Sequence, residues 1–253
     1  MHILICHERF LFRYGADRLF LILARAFREK GHQVTLLGNR YDPEVVKTVA
    51  DRTVFLPNPP DADWNDFTRD WLKSNWDSLF AGTSFPDVVV NGGWPFFSAM
   101  PFLRQRCFAT IFSDLGAVPM EGMPEAILPT LAHLRLLRRR YLSNAASIVS
   151  LSNFIATSQS LPDCSQQVPI RSILAGADHM ESSFWTGSLL SDARKSNLDL
   201  SLVQRLRQEG HFLVLSLGRW EESGYKNSKT AFNFIRQFMA LFAYRHLLKL
   251  VNI

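Results

Sequence analysis

The sequence predicts an α/β fold built on a doubly wound, Rossmann-like parallel sheet, and three observations support this prediction. Short apolar segments of strand length alternate with amphipathic helical segments over about the first 180 residues. The first forty residues read strand, helix, strand, which is the length that a parallel crossover needs. The composition, 47% hydrophobic and 20% charged over 253 residues, suits a chain that can build a sizeable core.

The first unit begins with a strand, HILICHE, at residues 2–8. A helix follows from Asp17 to Lys30, because apolar residues recur at helical spacing, Asp17 can cap its start and Gly31 can end it. The segment QVTLLG at 33–38 is the second strand. The alternation then continues with a short helix after Pro43, a strand at 53–56, an aromatic helix near 63–80, strands at 87–91 and 107–114, a helix from about 124 to 141, and strands at 147–152 and 169–174.

The pattern changes after about residue 180, where serine becomes frequent and the alternation stops. An apolar strand at 211–218, a helix at 230–244 and a last strand then suggest a new unit. We therefore predict a complete Rossmann-like domain at 1–180, a linker and hinge helix at 181–210, and the start of a second Rossmann-like domain at 211–253. Two strands and one helix cannot cover a sheet on both faces, so we expect the second domain to be incomplete in this chain.

Charge and cysteine content narrow the function classes. The chain has 28 basic and 23 acidic residues, a net charge of +5 that suits an anionic ligand but gives little support to nucleic-acid binding. Cys6, Cys107 and Cys164 are too far apart for a disulfide framework or a zinc site. The N-terminus lacks the pattern of a signal peptide, and no apolar run approaches the roughly 20 residues of a spanning helix. We expect a cytoplasmic protein.

The strongest candidate for a ligand site is the turn GRWEESGYK, which follows the apolar strand at 211–218. Ligands of doubly wound domains bind at the carboxyl ends of the strands. Gly218 allows close approach to the backbone, Arg219 offers a fork of donors to phosphate oxygens, and Lys226 adds a second positive charge, so the turn can hold a diphosphate. An alternative is that the two cations pair with Glu221 and Glu222 on a solvated loop.

Polar residues and glycines also follow the strands of the first unit. His7 follows the first strand, Gly15 lies in the next loop, and Gly92 and Gly93 follow the fourth strand, so we expect these residues to face a cleft. Asp114 follows the fifth strand and is the candidate catalytic carboxylate. The alternatives are a loop cap for Asp114, turn chemistry for the glycine pair, and an ordinary polar strand end for His7.

Two further features have a structural and a functional interpretation. Trp64, Phe67, Trp71 and Leu79 recur at helical spacing, which favours core packing over a surface that binds a sugar ring or a lipid. The basic stretch from Arg135 to Arg140 favours a solvated helix face, with a peripheral contact to an anionic membrane as the alternative.

Four segments, in this order, resemble GT-B glycosyltransferases of the large group that includes glycogen and sucrose synthase-like enzymes. The first 37 residues resemble that group's first strand, helix and strand. IVSLSNF at 148–154 and ILAGADHM at 173–180 resemble the segments that lead into the second domain, and GRWEESGYKN resembles the donor phosphate loop. Three positions depart from the group's pattern: Tyr14 replaces the first of two glycines, Asp17 stands where glutamate is common, and Ser113 replaces a histidine before the aspartate.

The resemblance implies a GT-B-like fold and transfer of a hexosyl group, with retention, from a nucleotide-diphosphate sugar to a glycan or lipid-linked acceptor. It assigns the donor diphosphate to Gly218, Arg219 and Lys226, and the acceptor to the cleft of the first domain. It implies no metal and no cofactor, because the two cations would stabilise the diphosphate, and no nucleic-acid partner. The location would be the cytoplasm or the inner membrane face. The group's acidic pair for the donor sugar would lie beyond Ile253, so we expect a truncated chain.

Two other functions remain open at this point. The chain can be a noncatalytic or degenerate Rossmann-like binding domain, or one half of a split enzyme. A nicotinamide-dependent oxidoreductase is disfavoured, because its first loop needs a three-glycine fingerprint and RFLFRYGADR contains one glycine.

Overall fold

The chain forms two units in the computed structural model, which describes residues 1–12, 14–60, 63–121, 123–164, 167–173, 205, 208–210, 212–216, 237 and 248–252. The first unit comprises residues 1–118 and 130–176, and the second comprises residues 119–129 and 177–253. The domain limits drawn from the sequence, at 180 and 210, stay a prediction.

A parallel sheet of seven strands is the centre of the first unit. The strands of this unit are β1 (His2–Cys6), β2 (Arg9–Phe10), β3 (Gln33–Gly38), β4 (Arg40–Tyr41), β5 (Arg52–Phe55), β6 (Val88–Asn91), β7 (Ala109–Asp114), β8 (Ser147–Ser150) and β9 (Ile170–Ser172). Their order in the large sheet is β5-β3-β1-β6-β7-β8-β9, with β2 and β4 paired separately. The chain winds outward from β1 to β5 and then from β6 to β9, which confirms the doubly wound α/β fold.

Helices connect these strands as parallel crossovers require. They are α1 (Gly15–Glu29), α2 (Pro43–Val49), α3 (Trp64–Leu79), α4 (Met100–Arg106), α5 (Leu128–Tyr141), α6 (Asn153–Ile155) and α7 (Leu161–Asp163). Short 3₁₀ turns stand at Glu125–Ile127 and Leu142–Asn144, and a π-helical turn at Ala156–Ser160 joins α6 to α7. Neither α4 nor the β2–β4 pair was predicted. The paired strands are only two residues long, and α4 has Ala99 at its N-cap, whereas α2 begins with the start signal Asp42 and Pro43.

The start of α1 corrects one detail of the sequence analysis. The helix begins at Gly15, and Tyr14, with an extended backbone, takes the N-cap position. Asp17 is therefore inside the first turn, where its side chain is only 1% exposed, and it does not cap the helix. Gly31, with a φ of 78°, follows the end of the helix as predicted.

The core lies on both faces of the sheet. Strand β1 is buried along its whole length, as expected for a central parallel strand covered on both sides. On α3 the buried residues are Asn65, Thr68, Leu72 and Trp76. The predicted aromatic stripe lies beside this face, and Trp64, Trp71 and Leu79 pack partly buried against the core cluster.

All three cysteines are free thiols in the described part of the chain. Burial raises the pKa of Cys6 well above its usual value and that of Cys107 to about 12, and it raises the pKa of the more accessible Cys164 as well. All three thiols therefore favour the protonated form, which is the unreactive one. Cys164 is the most accessible of the three.

The described strands of the second unit form a parallel pair. Strand β10 (Phe212–Ser216) aligns with β11 (Leu248–Asn252), with Phe212 opposite Leu248. Both strands lie where the sequence places them, whereas the helix predicted at 230–244 falls outside the described residues. Among the described residues, no helix has the length and apolar character needed to cross a membrane.

Candidate functional site

A cavity of about 290 Å³ lies in the first unit, at the carboxyl edge of the sheet. Its lining includes His7 after β1, Gly92 after β6, and Asp114 and Leu115 at the end of β7. Strands β1 and β6 are neighbours in the sheet although the chain winds away from them in opposite directions. The cavity therefore occupies the topological switch point, where ligands of doubly wound domains bind.

A buried aspartate organises one side of this cavity. Asp17 Oδ1 lies 3.1 Å from His7 Nε2, and its Oδ2 accepts a hydrogen bond from Arg9 Nε at 3.1 Å and one from the Leu11 N–H at 3.3 Å. The Arg9 guanidinium also stacks over the ring of Tyr14, 4.3 Å from its centroid. The carboxylate thus holds the imidazole and the guanidinium in fixed positions, which is the role of a positioning residue.

The glycine pair after β6 is required by close packing against His7. A Cβ atom on Gly92 would lie 2.7 Å from His7 Nδ1 and 2.7 Å from the ring of Phe20. Gly93 has a φ of 96°, which side-chain-bearing residues rarely adopt. His7 Nδ1 is buried and has no hydrogen-bond partner among the described residues. The two glycines therefore let the backbone after β6 pass next to the His7 imidazole, where all three residues line the cavity.

A second buried carboxylate, Asp114, is fully engaged. Both of its oxygens accept hydrogen bonds from Arg138, at 2.9 and 2.8 Å, Ser160 Oγ donates to Oδ2 at 2.6 Å, and the Gly116 N–H donates to Oδ1 at 2.9 Å. Arg138 also donates from Nε to Asp163 at 3.0 Å. The side chains of Asp114 and Arg138 are 0% and 5% exposed. The geometry is that of a buried, bidentate ion pair with its remaining lone pairs satisfied.

The ionisation of Asp114 follows from these contacts. Burial by itself would raise the pKa of this carboxyl group, but the hydrogen bonds and positive charge of Arg138 outweigh burial, so the pKa lies below its usual value. Asp114 is therefore a carboxylate near neutral pH. The hydrogen bond from Gly116 also shows the loop contact that was the structural alternative for this residue.

Helix α5 contributes a wall of the cavity through one of its faces. Leu131, Leu134, Arg135 and Arg138 all line it, and their spacing of three and four residues places them on the same side of the helix. The basic stretch is thus divided between environments: Arg138 is buried, Arg135 lines the cavity, and Arg139 is largely exposed and pairs with Asp163. It does not form one uniformly solvated face.

The rest of the lining combines an apolar wall with two charged side chains that have no partner in the described part of the chain. The apolar and aromatic members are Trp94, Phe97, Phe112, Leu115, Val118, Leu131 and Leu134. Glu8 and Arg135 line the cavity half-buried, and neither side chain has a hydrogen bond or ion pair with another described residue. A ligand in this cavity can therefore contact the Glu8 carboxylate through a donor group and the Arg135 guanidinium through an acceptor group.

The structure brings together four of the residues predicted for the first domain. His7, Gly92, Gly93 and Asp114 all line the cavity. Gly15 does not, although its neighbours Ala16 and Asp17 do, because the helix already begins at Gly15 and nothing lies within 4 Å of a Cβ at that position.

The predicted donor-binding residues Gly218, Arg219 and Lys226 lie outside the described residues. In the described part of the chain, no group of three or more His, Cys, Asp or Glu side chains is placed to hold a metal ion.

Sequence reasoning missed the partners of the predicted residues. Asp17 was assigned to a helix cap, and Arg138 was grouped with the other basic residues of its helix. One signal was available for α5, because Leu131, Leu134, Arg135 and Arg138 mark a single face that is apolar at its start and basic at its end. For Asp17 no sequence signal separates a capping from a buried role.

Known proteins with a similar fold are found among solved structures. No family model and no curated protein matches the chain. Among solved structures, a glycosyltransferase from Rickettsia africae aligns with 99% of this chain at a TM-score of 0.50 and 13% identity, and the chain covers 68% of it. A Listeria monocytogenes protein provisionally described as a UDP-N-acetylglucosamine 2-epimerase aligns with 99% of this chain at a TM-score of 0.52 and 13% identity.

The chain spans 61% of the length of the Listeria protein. At this level of identity the likeness concerns the fold, since one fold hosts many activities. The chain is similar in its α/β architecture to these structures and resembles the GT-B glycosyltransferases.

Proposed function

We propose that this chain holds the acceptor-binding unit of a glycosyltransferase that uses a nucleotide-diphosphate sugar, together with residues that bind the donor. The observation that carries the proposal is the cavity at the switch point of the first sheet, on a fold similar to that of a glycosyltransferase. Ligand sites of doubly wound folds lie at this position. The cavity has an apolar wall and a few convergent polar groups, as small-molecule sites do.

In this proposal the acceptor hydroxyl attacks the anomeric carbon of the donor sugar. The new glycosidic bond forms to the acceptor oxygen, the bond to the diphosphate breaks, and the nucleoside diphosphate leaves with the electron pair. Glu8 accepts the hydrogen bond and then the proton of the hydroxyl, because its carboxylate lines the cavity without a described partner. The family resemblance implies retention, and retention in this step requires the hydroxyl to attack the anomeric carbon from the same face on which the diphosphate leaves.

The remaining residues of the cavity act by positioning. Asp17 holds His7 and Arg9, and Asp114 holds Arg138, so neither buried carboxylate is free to take a proton. For Asp114 we therefore favour a positioning role over the catalytic role suggested by the sequence. Gly218, Arg219 and Lys226 would bind the diphosphate and stabilise its developing charge without a metal, which rests on their sequence pattern.

The donor part of the proposal is tested by titrating the chain with UDP, GDP and ADP in a calorimeter. We expect one nucleotide to bind, and Arg219→Ala and Lys226→Ala each to weaken it by about tenfold, since each removes one charge-assisted contact. Lys47→Ala is the matched control, because Lys47 is an exposed cation whose ion pair is with Glu44 in the same helix. If no nucleotide binds, or if all three variants behave alike, the donor assignment is wrong.

The catalytic part is tested by mass spectrometry of acceptor mixtures incubated with the matching nucleotide sugar. We expect only a small yield of products heavier by one hexose unit, consistent with weak turnover, and a further loss of product with Glu8→Gln but not with Glu44→Gln, a charge change on the exposed end of α2. The complete engagement of Asp114 favours a second candidate, a noncatalytic binding domain. That candidate predicts ligand binding in the cavity but no product with any nucleotide sugar.

A further inference from the structure

Among the arginines that line the cavity, Arg135 differs from the others in having no acidic partner among the described residues. Three arginines line this space, and two of them are neutralised, Arg9 by Asp17 at 3.1 Å and Arg138 by Asp114 at 2.8 Å. Arg135 lies on the same face of α5 as Arg138, yet it has no ion pair or hydrogen bond with any other described residue. A guanidinium remains charged at every physiological pH, so a half-buried one without a counter-ion favours an anion beside it.

The surroundings of Arg135 define the rest of the ligand. Leu131 and Leu134 adjoin it on the helix, and Trp94, Phe97 and Phe112 complete an apolar wall. Phe97 and Phe112 pack with their ring centroids 5.8 Å apart, and Trp94 packs edge-on against Trp64 outside the lining. The volume of about 290 Å³ is at the lower end for small-molecule sites, which favours one compact ring over an extended chain.

From these observations we propose that the acceptor is a compact hydroxylated ring carrying an oxyanion, either a carboxylate or a phosphate, and that Arg135 binds this anion. The planar fork of the guanidinium matches the two oxygens of either group. The ring would lie on the apolar wall, and the hydroxyl would point to Glu8. The identification of the ligand as an acceptor rests on the proposed function, whereas the anion-binding role of Arg135 can be measured without it.

The test uses the full chain and three probes of nearly equal size: 4-hydroxybenzoate, 4-hydroxyphenyl phosphate and the neutral 4-hydroxybenzamide. Binding is measured by ligand-observed NMR and calorimetry in the absence of nucleotide. We expect at least one anionic probe to bind about tenfold or more tightly than the amide, the size of a charge-assisted hydrogen-bond pair, and the better anion identifies the natural group. Arg135→Gln should abolish this preference, and Arg135→Lys should restore part of it.

Arg140→Gln is the matched control, since it removes one positive charge from the exposed end of the same helix. It should leave the preference for the anion unchanged. Equal binding of all three probes, no binding of either anion, or an unchanged preference in Arg135→Gln would overturn the proposal. If a nucleoside diphosphate displaces the anionic probe, the anion site belongs to the donor and the acceptor assignment is wrong. Failure of nucleotide binding with a retained anion preference would instead contradict only the proposed donor chemistry.

Discussion

Replacing Arg138 by glutamine should destabilise the first unit strongly. Arg138 donates two hydrogen bonds to Asp114 and one to Asp163, and the two carboxylates are only 0% and 12% exposed. Its removal leaves a buried carboxylate without a counter-charge. Breaking a buried pair from one side costs about 3–5 kcal/mol, which is a large part of the total stability of a domain.

The matched control is the next residue along the helix. Arg139 also donates to Asp163, at 3.2 Å, but its side chain is 68% exposed. Exposed pairs of this kind contribute about 0–1 kcal/mol, so Arg139→Gln should cost little. The expected difference in unfolding free energy between the two variants is therefore about 3 kcal/mol.

Urea unfolding followed by tryptophan fluorescence measures this difference, because four of the six tryptophans lie between residues 64 and 94. The urea dependence of the unfolding free energy should be the same in both variants, which shows that stability and not the unfolded state has changed. The double variant Asp114→Asn/Arg138→Gln should lose less than the sum of the single changes, since no buried charge stays unpaired at position 114. Equal losses for Arg138→Gln and Arg139→Gln would refute the buried-pair account.

Three further results are expected. The pKa of Asp114 is lowered in the folded chain, so its negative charge stabilises the fold above the ordinary pKa of about 4. In unfolding experiments below that pH, the stability difference between wild type and Asp114→Asn should therefore shrink. A constant difference down to about pH 2 would contradict this. Gly92→Ala should lower the unfolding free energy by about 1–3 kcal/mol, because its Cβ would clash with the His7 imidazole. Gly15→Ala has open space at its Cβ and should stay within about 1 kcal/mol of wild type. Equal effects of the two changes would argue against the close packing of Gly92 and His7. In the native chain Cys164 should react first with an aromatic disulfide reagent, with the two buried cysteines reacting only on unfolding, and uniform labelling would be the contrary result.

The strand ends that line the cavity could be identified from the sequence because they follow from local patterns and one rule of topology. The apolar runs of β1, β6 and β7 are long enough to be recognised as buried strands, and the residues after parallel strands must meet at one edge of the sheet. His7, the glycine pair and Asp114 were identified in this way, and all of them line the cavity.

The role of each residue was harder to predict because it depends on its partner. Asp114 and Arg138 are 24 residues apart, and no spacing rule links a strand end to the last turn of a later helix. The same holds for Asp17, which looks like a helix cap in the sequence and is a buried acceptor for His7 in the structure. Only the packing of α1 and α5 against the sheet shows which carboxylates are engaged.

The sequence by itself determined the α/β alternation, the doubly wound sheet and the edge of the sheet at which His7, Gly92 and Asp114 meet, because periodicity and strand length are properties of neighbouring residues. The tertiary structure decided which charges remain available in the cavity. Asp114 and Arg138 neutralise each other in the interior, while Arg135, three residues earlier on the same face, is left facing the cavity. Burial and pairing distinguish these side chains, and both arise only when distant segments come together.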